Sequence, residues 1–332
     1  MDSALYPIIW FFLIGFALVV YIILDGFSMG LGLLFPLFGE QERRNIMITT
    51  ALPFWDGNQT WVVLAVAGLY GAFPLAYSTI MPALYPFLIL FLLAIYLRGI
   101  IFEFRSKAQK PQRHFDLLFP ASIVIAVLCQ GMVLGAMIQG IPVQNGQYSA
   151  GPLVGISIFG VFAGLALMIG DALLGAAWLV VKTEGAIQAR CYRLIRPLLL
   201  ALLVAMTIIS VWTPLLNDHV AERWLRQATS PWLWLIPTAI LLLAVGVHKS
   251  VTRRHEHWLF AQITVMFALG LAGLMSSLYP LIVPPRISIF DAAAHPASQG
   301  FLLVVYLTLI PVILLYTRFS YRVFRGKVRE DE

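Results

Sequence analysis

Long apolar runs constrain this chain more than any other feature of its sequence. Residues 57–97 contain no Lys, Arg, Asp or Glu, and further apolar runs follow along the whole chain. A helix needs about 20 apolar residues to cross a bilayer, where its backbone must satisfy its own hydrogen bonds. Hydrophobic residues make up 60% of the 332 residues and charged residues only 11%, too few to cover a water-soluble domain. The sequence therefore predicts an all-α integral membrane protein.

Nine segments are predicted to cross the bilayer. Nineteen of the 22 Lys and Arg residues follow odd-numbered segments, so they fall on one side of the membrane. Because cytoplasmic loops are enriched in Lys and Arg, the N-terminus is predicted outside and the C-terminus in the cytoplasm. The net charge of +6 is thereby a topology signal, and it does not indicate nucleic-acid binding. The nine segments are 6–38, 49–73, 75–97, 115–138, 152–181, 194–216, 231–247, 258–281 and 299–316.

A short internal echo indicates two related halves. The first segment carries "LDGFSMGLGLL" and the fifth carries "GDALLGAAWLV", each with an aspartate beside small residues that permit close helix packing. We expect two four-helix units, 1–142 and 143–282, followed by a peripheral ninth helix and a basic tail at 283–332. Parallel repeats of this kind occur in transporters. Chance similarity between glycine-rich membrane helices is the alternative explanation.

Three aspartates fall inside the predicted segments, where ionisable side chains are costly and usually mark ion paths or proton relays. At 1.5 Å per residue, Asp56 of "PFWDGNQTW" lies on the order of 10–15 Å from the cytoplasmic surface. Asp25 lies in the cytoplasmic half of the first segment, and Glu103 lies at the cytoplasmic edge of the third. We interpret Asp25 or Glu103 as the group that takes up a proton and Asp56 as the inner relay. Asp171 is interpreted as structural, and helix capping is the alternative for the other acids.

Neighbouring residues complete the predicted site. Trp55 and Asn58 are expected to hold Asp56 in place, and Arg98 is expected to adjust the charge at the mouth of the path. All six histidines fall at segment ends or in loops, so no axial haem ligand is predicted in the middle of the membrane. The two cysteines have no metal-ligand spacing. We therefore predict a proton-handling membrane subunit that itself holds no metal and no cofactor.

Four motifs resemble the signatures of subunit II of cytochrome bd-type terminal quinol oxidases. They are "LDGFSMGLGLL", "PFWDGNQTW", "LRGIIFEFR" and "KTEGAIQAR", and they occur in order from the first segment through the fifth. The short chain is similar to the cyanide-insensitive branch of that family. The resemblance implies a heterodimer with a haem-bearing subunit I in the bacterial cytoplasmic membrane. That complex oxidises quinol and reduces dioxygen to water, with haem b and haem d held in the partner.

The resemblance also implies roles for individual residues and for further partners. The acids that match Asp25 and Asp56 belong, in this family, to a cytoplasmic proton path toward the oxygen-reducing site. A structural quinone in subunit II and a small single-helix accessory subunit are further implied partners, beside membrane lipid. This chain alone is not expected to be catalytic. The alternatives are a proton-coupled secondary transporter and a passive assembly subunit whose acids only hold helices together.

Overall fold

The computed structural model describes residues 4–105, 112–144, 147–151, 155–226 and 231–328. Within these ranges the chain forms eleven α-helices and two short antiparallel hairpins. The helices are α1 Leu5–Leu34, α2 Gln41–Ala51, α3 Trp55–Ala72, α4 Pro74–Phe104, α5 Gln112–Gln139, α6 Ile158–Lys182, α7 Gly185–Leu216, α8 Asp218–Ala221, α9 Leu235–Arg253, α10 Glu256–Leu278 and α11 Pro296–Val323. The strands are β1 Val143–Gln144, β2 Gln147–Tyr148, β3 Leu281–Val283 and β4 Ile287–Ser288.

Eight of the described helices are long and apolar enough to cross a membrane, namely α1, α4, α5, α6, α7, α9, α10 and α11. The expected all-α membrane fold is confirmed. The second predicted segment, 49–73, differs from the prediction because it is divided between α2 and α3, with Pro53 between the two helices. Asp56, Asn58 and Gln59 fill the first turns of α3 and lower its mean hydropathy, so α3 is not among the eight.

The sixth predicted segment, 194–216, is part of a longer helix. Helix α7 starts before this segment and includes Arg190, which the sequence had placed in a loop. The physical reason is an apolar stripe that continues on the N-terminal side of the predicted segment. Ile187, Cys191 and Ile195 recur every fourth residue and are all buried. The basic side chains of this extension therefore project from a helix that is fixed by its buried face.

The two echoed segments cross each other at the centre of the molecule. A Cβ atom added at Gly30 of α1 would lie 1.6 Å from the carbonyl oxygen of Asp171, and one at Gly175 of α6 would lie 2.5 Å from the carbonyl carbon of Gly30. Only glycine permits such a close approach of two helix backbones. Helices α3 and α5 pack against α1, and α5, α7 and α10 pack against α6. Helices α1 and α6 are therefore the central pair.

A short hairpin follows each of α5 and α10. The connections that carry the hairpins touch, since the backbone nitrogen of Ile141 donates to the carbonyl oxygen of Pro284 at 2.9 Å. In the second connection the hydroxyl and the backbone nitrogen of Ser288 donate to the Asp291 carboxylate. These hydrogen bonds, chiefly that of the hydroxyl, hold the pKa of Asp291 below its ordinary value. The connection after α5 and the connection after α10 thus carry similar, adjoining hairpins.

Large apolar side chains cover the outer faces of the helices. Leu200 on α7, Leu242 on α9 and Leu315 on α11 are each exposed by about two thirds of their surface (65%, 69% and 66%). Water-soluble monomers rarely expose contiguous apolar surface on this scale. The outer faces are therefore suited to contact with lipid or with another membrane subunit.

Candidate functional site

A buried ion pair joins α1 to α4. Nη1 of Arg98 donates to Oδ1 of Asp25 at 2.9 Å, and the side chain of each residue is only 1% exposed. The same nitrogen of Arg98 lies 3.2 Å from the sulfur of Met29, one helical turn beyond Asp25. Burial of two charges is costly, and it is offset only where the pair is close and well oriented. The expected contribution of Arg98 at the acids therefore takes the form of a direct ion pair with Asp25.

Asp171 is a second carboxylate at this pair. It is 1% exposed, and a Cβ atom added at Gly26, next to Asp25, would lie 2.9 Å from its Oδ1. Among the described residues, no hydrogen-bond partner is found for Oδ1 of Asp171, for Oδ2 of Asp25, or for Nε and Nη2 of Arg98. Buried polar atoms of this kind are usually satisfied by protein groups or by ordered water. The cluster therefore combines one cation with two acids and retains unused hydrogen-bonding capacity.

The polar cluster extends to α5. Nε2 of Gln130 donates to the hydroxyl of Tyr21 at 2.9 Å, and Tyr21 is one helical turn before Asp25 on α1. Asp171, Tyr21 and Gln130 were not among the predicted site residues. The signal that could have found Asp171 is the echo of "LDG" in "GDA". Nothing in the local pattern around Gln130 marks it as a partner of α1.

Asn58 and Trp55 hold the helices around the ion pair. Nδ2 of Asn58 donates to the carbonyl oxygen of Leu24 at 2.7 Å, which ties α3 to α1 immediately beside Asp25. The Trp55 ring stacks on Phe102 of α4, with 5.7 Å between ring centroids. Both residues were expected to hold Asp56 in place, and these contacts fix α3, which carries Asp56, against the two helices that carry Asp25 and Arg98.

Asp56 and Glu103 occupy the outside of the same helices. Both are exposed in this chain, Asp56 in the first turn of α3 and Glu103 in the last turn of α4. The stacked neighbours, Trp55 and Phe102, bring these two turns together. In this chain Asp25 is therefore enclosed, whereas Asp56, which was expected as the inner group, is exposed. Helical rise measures depth along the membrane and does not say which face of a helix is enclosed, so the order of the acids along a path stays a prediction.

A charged network surrounds the nearby ends of α2, α4 and α5. Asp116 accepts from Nη1 of Arg44 at 3.0 Å and from Nε of Arg105 at 2.8 Å. Nη1 of Arg105 also donates to Oδ1 of Asn45 at 2.7 Å. The sequence had marked the two arginines only as topology signals. The network brings together the connections that follow the first and third predicted segments.

The histidines do not suit haem ligation within the membrane. None of the six, all of which are described, is buried, and each lies at a helix end or in a connection. An axial haem ligand must reach an enclosed cofactor from a fixed position. The histidines of this chain therefore do not fit axial ligation of a haem within the membrane. The six are His114, His219, His248, His255, His257 and His295.

Comparison with known proteins places these features in a family. Residues 6–324 match the family described as cytochrome bd terminal oxidase subunit II. The chain belongs to that family. It is accordingly a multi-pass subunit of a bacterial respiratory oxidase, as the four sequence motifs indicated. Its assignment to the cyanide-insensitive branch stays a prediction.

Individual relatives agree over almost the full length. The chain is 25% identical to cytochrome bd-I ubiquinol oxidase subunit 2 of Escherichia coli K12, an alignment that covers 100% of this chain and 97% of the relative. It is 25% identical to cytochrome bd ubiquinol oxidase subunit 2 of Bacillus subtilis, with 98% and 97% covered. The fold matches a chain from the structure of bd oxidase from Geobacillus thermodenitrificans, with a TM-score of 0.79, 16% identity and 96% and 98% coverage.

Proposed function

We propose that this subunit II supports a haem-bearing subunit I in a quinol:oxygen oxidoreductase and supplies part of its cytoplasmic proton path. The observation that carries the proposal is the Asp25–Arg98 ion pair, which is enclosed among the membrane helices. Two curated relatives are ubiquinol oxidase subunits, which supports quinol as the substrate of the complex. Family membership also favours this function over a proton-coupled transporter. The haems, haem b and haem d, belong in this proposal to the partner.

The path begins at the exposed acids. Asp56 and Glu103 lie where α3 and α4 meet, so a proton can pass along this face toward a partner that covers it. Asp25 and Arg98 form the enclosed inner end, and their unsatisfied atoms offer hydrogen bonds to water that would connect the two parts. Arg98 keeps a positive charge beside the path, and this charge limits how many protons collect there. Asn58 ties α3 to α1 and so fixes the distance between the exposed acids and the enclosed ion pair.

Nine membrane crossings are proposed, with α2 and α3 together forming the second. The contacts of Asp116 with Arg44 and Arg105 support a common side for the end of α1 and the end of α4. At the other side, Nε2 of Gln299 donates to the carbonyl oxygen of Ala72 at the end of α3. The carbonyl oxygen of Gln299 in turn accepts from Trp10 near the start of α1. The chain must therefore cross the membrane once between the end of α1 and the start of α4. Helix α3 ends on the side where α1 begins, so it runs in the direction that this crossing requires.

The orientation and the two-unit organisation follow as proposals. The carbonyl oxygens of Phe324 and Gly326 accept from Nζ of Lys182, so the connection after α6 meets the C-terminal tail on the side that we assign to the cytoplasm. We propose that residues 1–142 and 143–282 are related units. The central crossing of α1 with α6 and the hairpin after each unit support this. A structural quinone and a small single-helix subunit stay predictions from the family.

The experiment is an Asp56→Asn substitution in the assembled complex. We expect normal haem content but a several-fold lower rate of quinol-driven oxygen consumption, because the amide cannot carry a proton. The matched control is Asp218→Asn, which changes an exposed aspartate of α8 that belongs to no proposed path. Normal turnover in a fully assembled Asp56→Asn complex would rule out the relay. Loss of haem with the same substitution would favour the passive assembly role.

A further inference from the structure

Five arginines from three separate parts of the chain line one cleft. Arg43 comes from α2, Arg190, Arg193 and Arg196 come from the first turns of α7, and Arg254 follows α9. The cleft has a volume of about 610 Å³. In the sequence these residues are explained by topology alone, because each follows an odd-numbered segment. Their convergence on one cavity is a property of the fold, and a topology signal does not require it.

The positive charge of the cleft is largely uncompensated. Within the described part of the chain, Arg43 is the one arginine of the cleft that pairs with an acid, and its Nε donates to Oε2 of Glu40 at 3.0 Å. The guanidinium groups of Arg190 and Arg254 lie over aromatic rings, and Arg196 donates to a threonine hydroxyl, so none of these contacts removes charge. No described residue that lines the cleft is acidic. Like charges held this close repel one another, and an anion in the cleft would relieve that repulsion.

Arg254 is held in a backbone conformation that disfavours a side chain. It ends α9 with φ +55°, in the left-handed region where helices usually place glycine. A residue with a Cβ atom is sterically disfavoured in this conformation. The position directs an arginine into the cleft where glycine would be more stable. Strained residues of this kind cluster at ligand sites.

An exposed apolar face of α7 continues from Arg196 of the cleft. Arg196, Leu200 and Val204 are spaced four residues apart on α7, so they lie on one side of the helix. Leu200 is 65% exposed and Val204 is 52% exposed. A molecule bound here would meet positive charge at one end and apolar side chains at the other. A free inorganic anion would use only the first of these features.

We propose that this arginine cleft binds the phosphate head group of an anionic phospholipid, with its acyl chains along the exposed face of α7. Guanidinium groups form paired hydrogen bonds with phosphate oxygens, so several arginines can hold one or two phosphates. Basic pockets between membrane helices on the cytoplasmic side are known to bind such head groups. The lipid would connect α2, α7 and α9, which meet at this cleft.

The test measures lipid binding by the purified complex with its partner subunit. The probe is phosphatidylglycerol with a fluorescent acyl chain in neutral detergent, and phosphatidylcholine is the uncharged comparison. The triple variant R190Q/R193Q/R254Q should bind the probe roughly 100-fold more weakly, because the loss of each arginine weakens head-group binding about fivefold. The control variant R318Q/R322Q/R325Q removes three charges from the end of α11 and should weaken binding less than about threefold.

A second variant separates binding from folding. Arg254→Gly removes the charge but places glycine where the backbone favours it, so the complex should be at least as stable and yet bind the probe roughly fivefold more weakly. Equal weakening by the cleft and α11 triple variants would overturn the proposal in favour of diffuse surface charge. Displacement of the probe by an equal concentration of inorganic phosphate would overturn the lipid assignment in favour of a free-anion site. Unchanged binding in Arg254→Gly would also overturn it.

Discussion

Replacement of Arg98 by methionine tests whether the buried ion pair holds α1 and α4 together. Methionine has a similar length and no charge, so the change leaves Asp25 and Asp171 beside each other without a cation. The paired atoms are 2.9 Å apart and both side chains are 1% exposed. With charge centres about 4 Å apart and an effective dielectric constant of about 20, the attraction is about 4 kcal/mol. Removal of one partner from such a buried pair costs roughly 3–5 kcal/mol.

The other single variant, Asp25→Asn, should lower the free energy of unfolding by less, because Asp171 is a second acid in the cluster. In Asp25→Asn the cation stays, and Asp171 remains as a buried carboxylate of the same cluster. We therefore expect Arg98→Met to lower the free energy of unfolding by roughly 3–5 kcal/mol and Asp25→Asn to lower it by less. The double variant, Arg98→Met with Asp25→Asn, should recover at least about 2 kcal/mol of the free energy of unfolding relative to Arg98→Met alone. The reason is that it leaves one fewer unpaired buried charge.

The assay is denaturant unfolding of the purified complex, followed by tryptophan fluorescence, for the wild type, both single variants and the double variant. Arg318→Met is the matched control, because Arg318 is exposed on α11 and its replacement should change the free energy of unfolding by about 0.5 kcal/mol or less. A coupling energy between the two sites below about 1 kcal/mol would refute the reasoning, as would equal losses from the two single variants.

Two further predictions concern packing and the C-terminal tail. Gly30→Ala should prevent assembly or lower the thermal midpoint strongly, because its Cβ atom would lie 1.6 Å from a backbone oxygen of α6, whereas Gly270→Ala should be tolerated because the nearest atom lies at 3.5 Å. Equal midpoints would contradict the close crossing. Lys182→Met should speed tryptic cleavage after Arg325 about tenfold, because Lys182 donates to two tail carbonyls. The exposed Lys249→Met is its control, and equal cleavage rates would show that the tail is held by other contacts.

The sequence identified the acids within the apolar segments but not how they are arranged. Asp25, Asp56 and Glu103 stood out because charge is costly in an apolar run, and that rule needs no knowledge of packing. The pairing of Asp25 with Arg98 joins residues that are 73 positions apart, and no local pattern encodes it. Asp171 was interpreted as structural, and its approach to Asp25 depends on the crossing of α1 with α6, which the sequence does not show.

The helices were predicted correctly where the length of an apolar run determines them. The boundaries were missed where polar residues or a proline determine them. The segment 49–73 was interpreted as one span because its total length fits a bilayer. Pro53 and the polar turn after it divide the segment into two helices. The helical extension of α7 was missed because Arg190 and its neighbours suggested a loop, while the buried stripe of Ile187 and Cys191 continues the helix. Hydropathy averages conceal both features.

Proton uptake by the assembled complex tests the central claim most directly. The fully reduced complex is mixed with oxygen in lipid vesicles, and a dye on the cytoplasmic face reports proton uptake while haem absorbance reports electron transfer. We predict that Asp56→Asn slows proton uptake several-fold while the first oxygen-binding step keeps its wild-type rate. Proton uptake at the wild-type rate in this variant would contradict a proton path through this subunit.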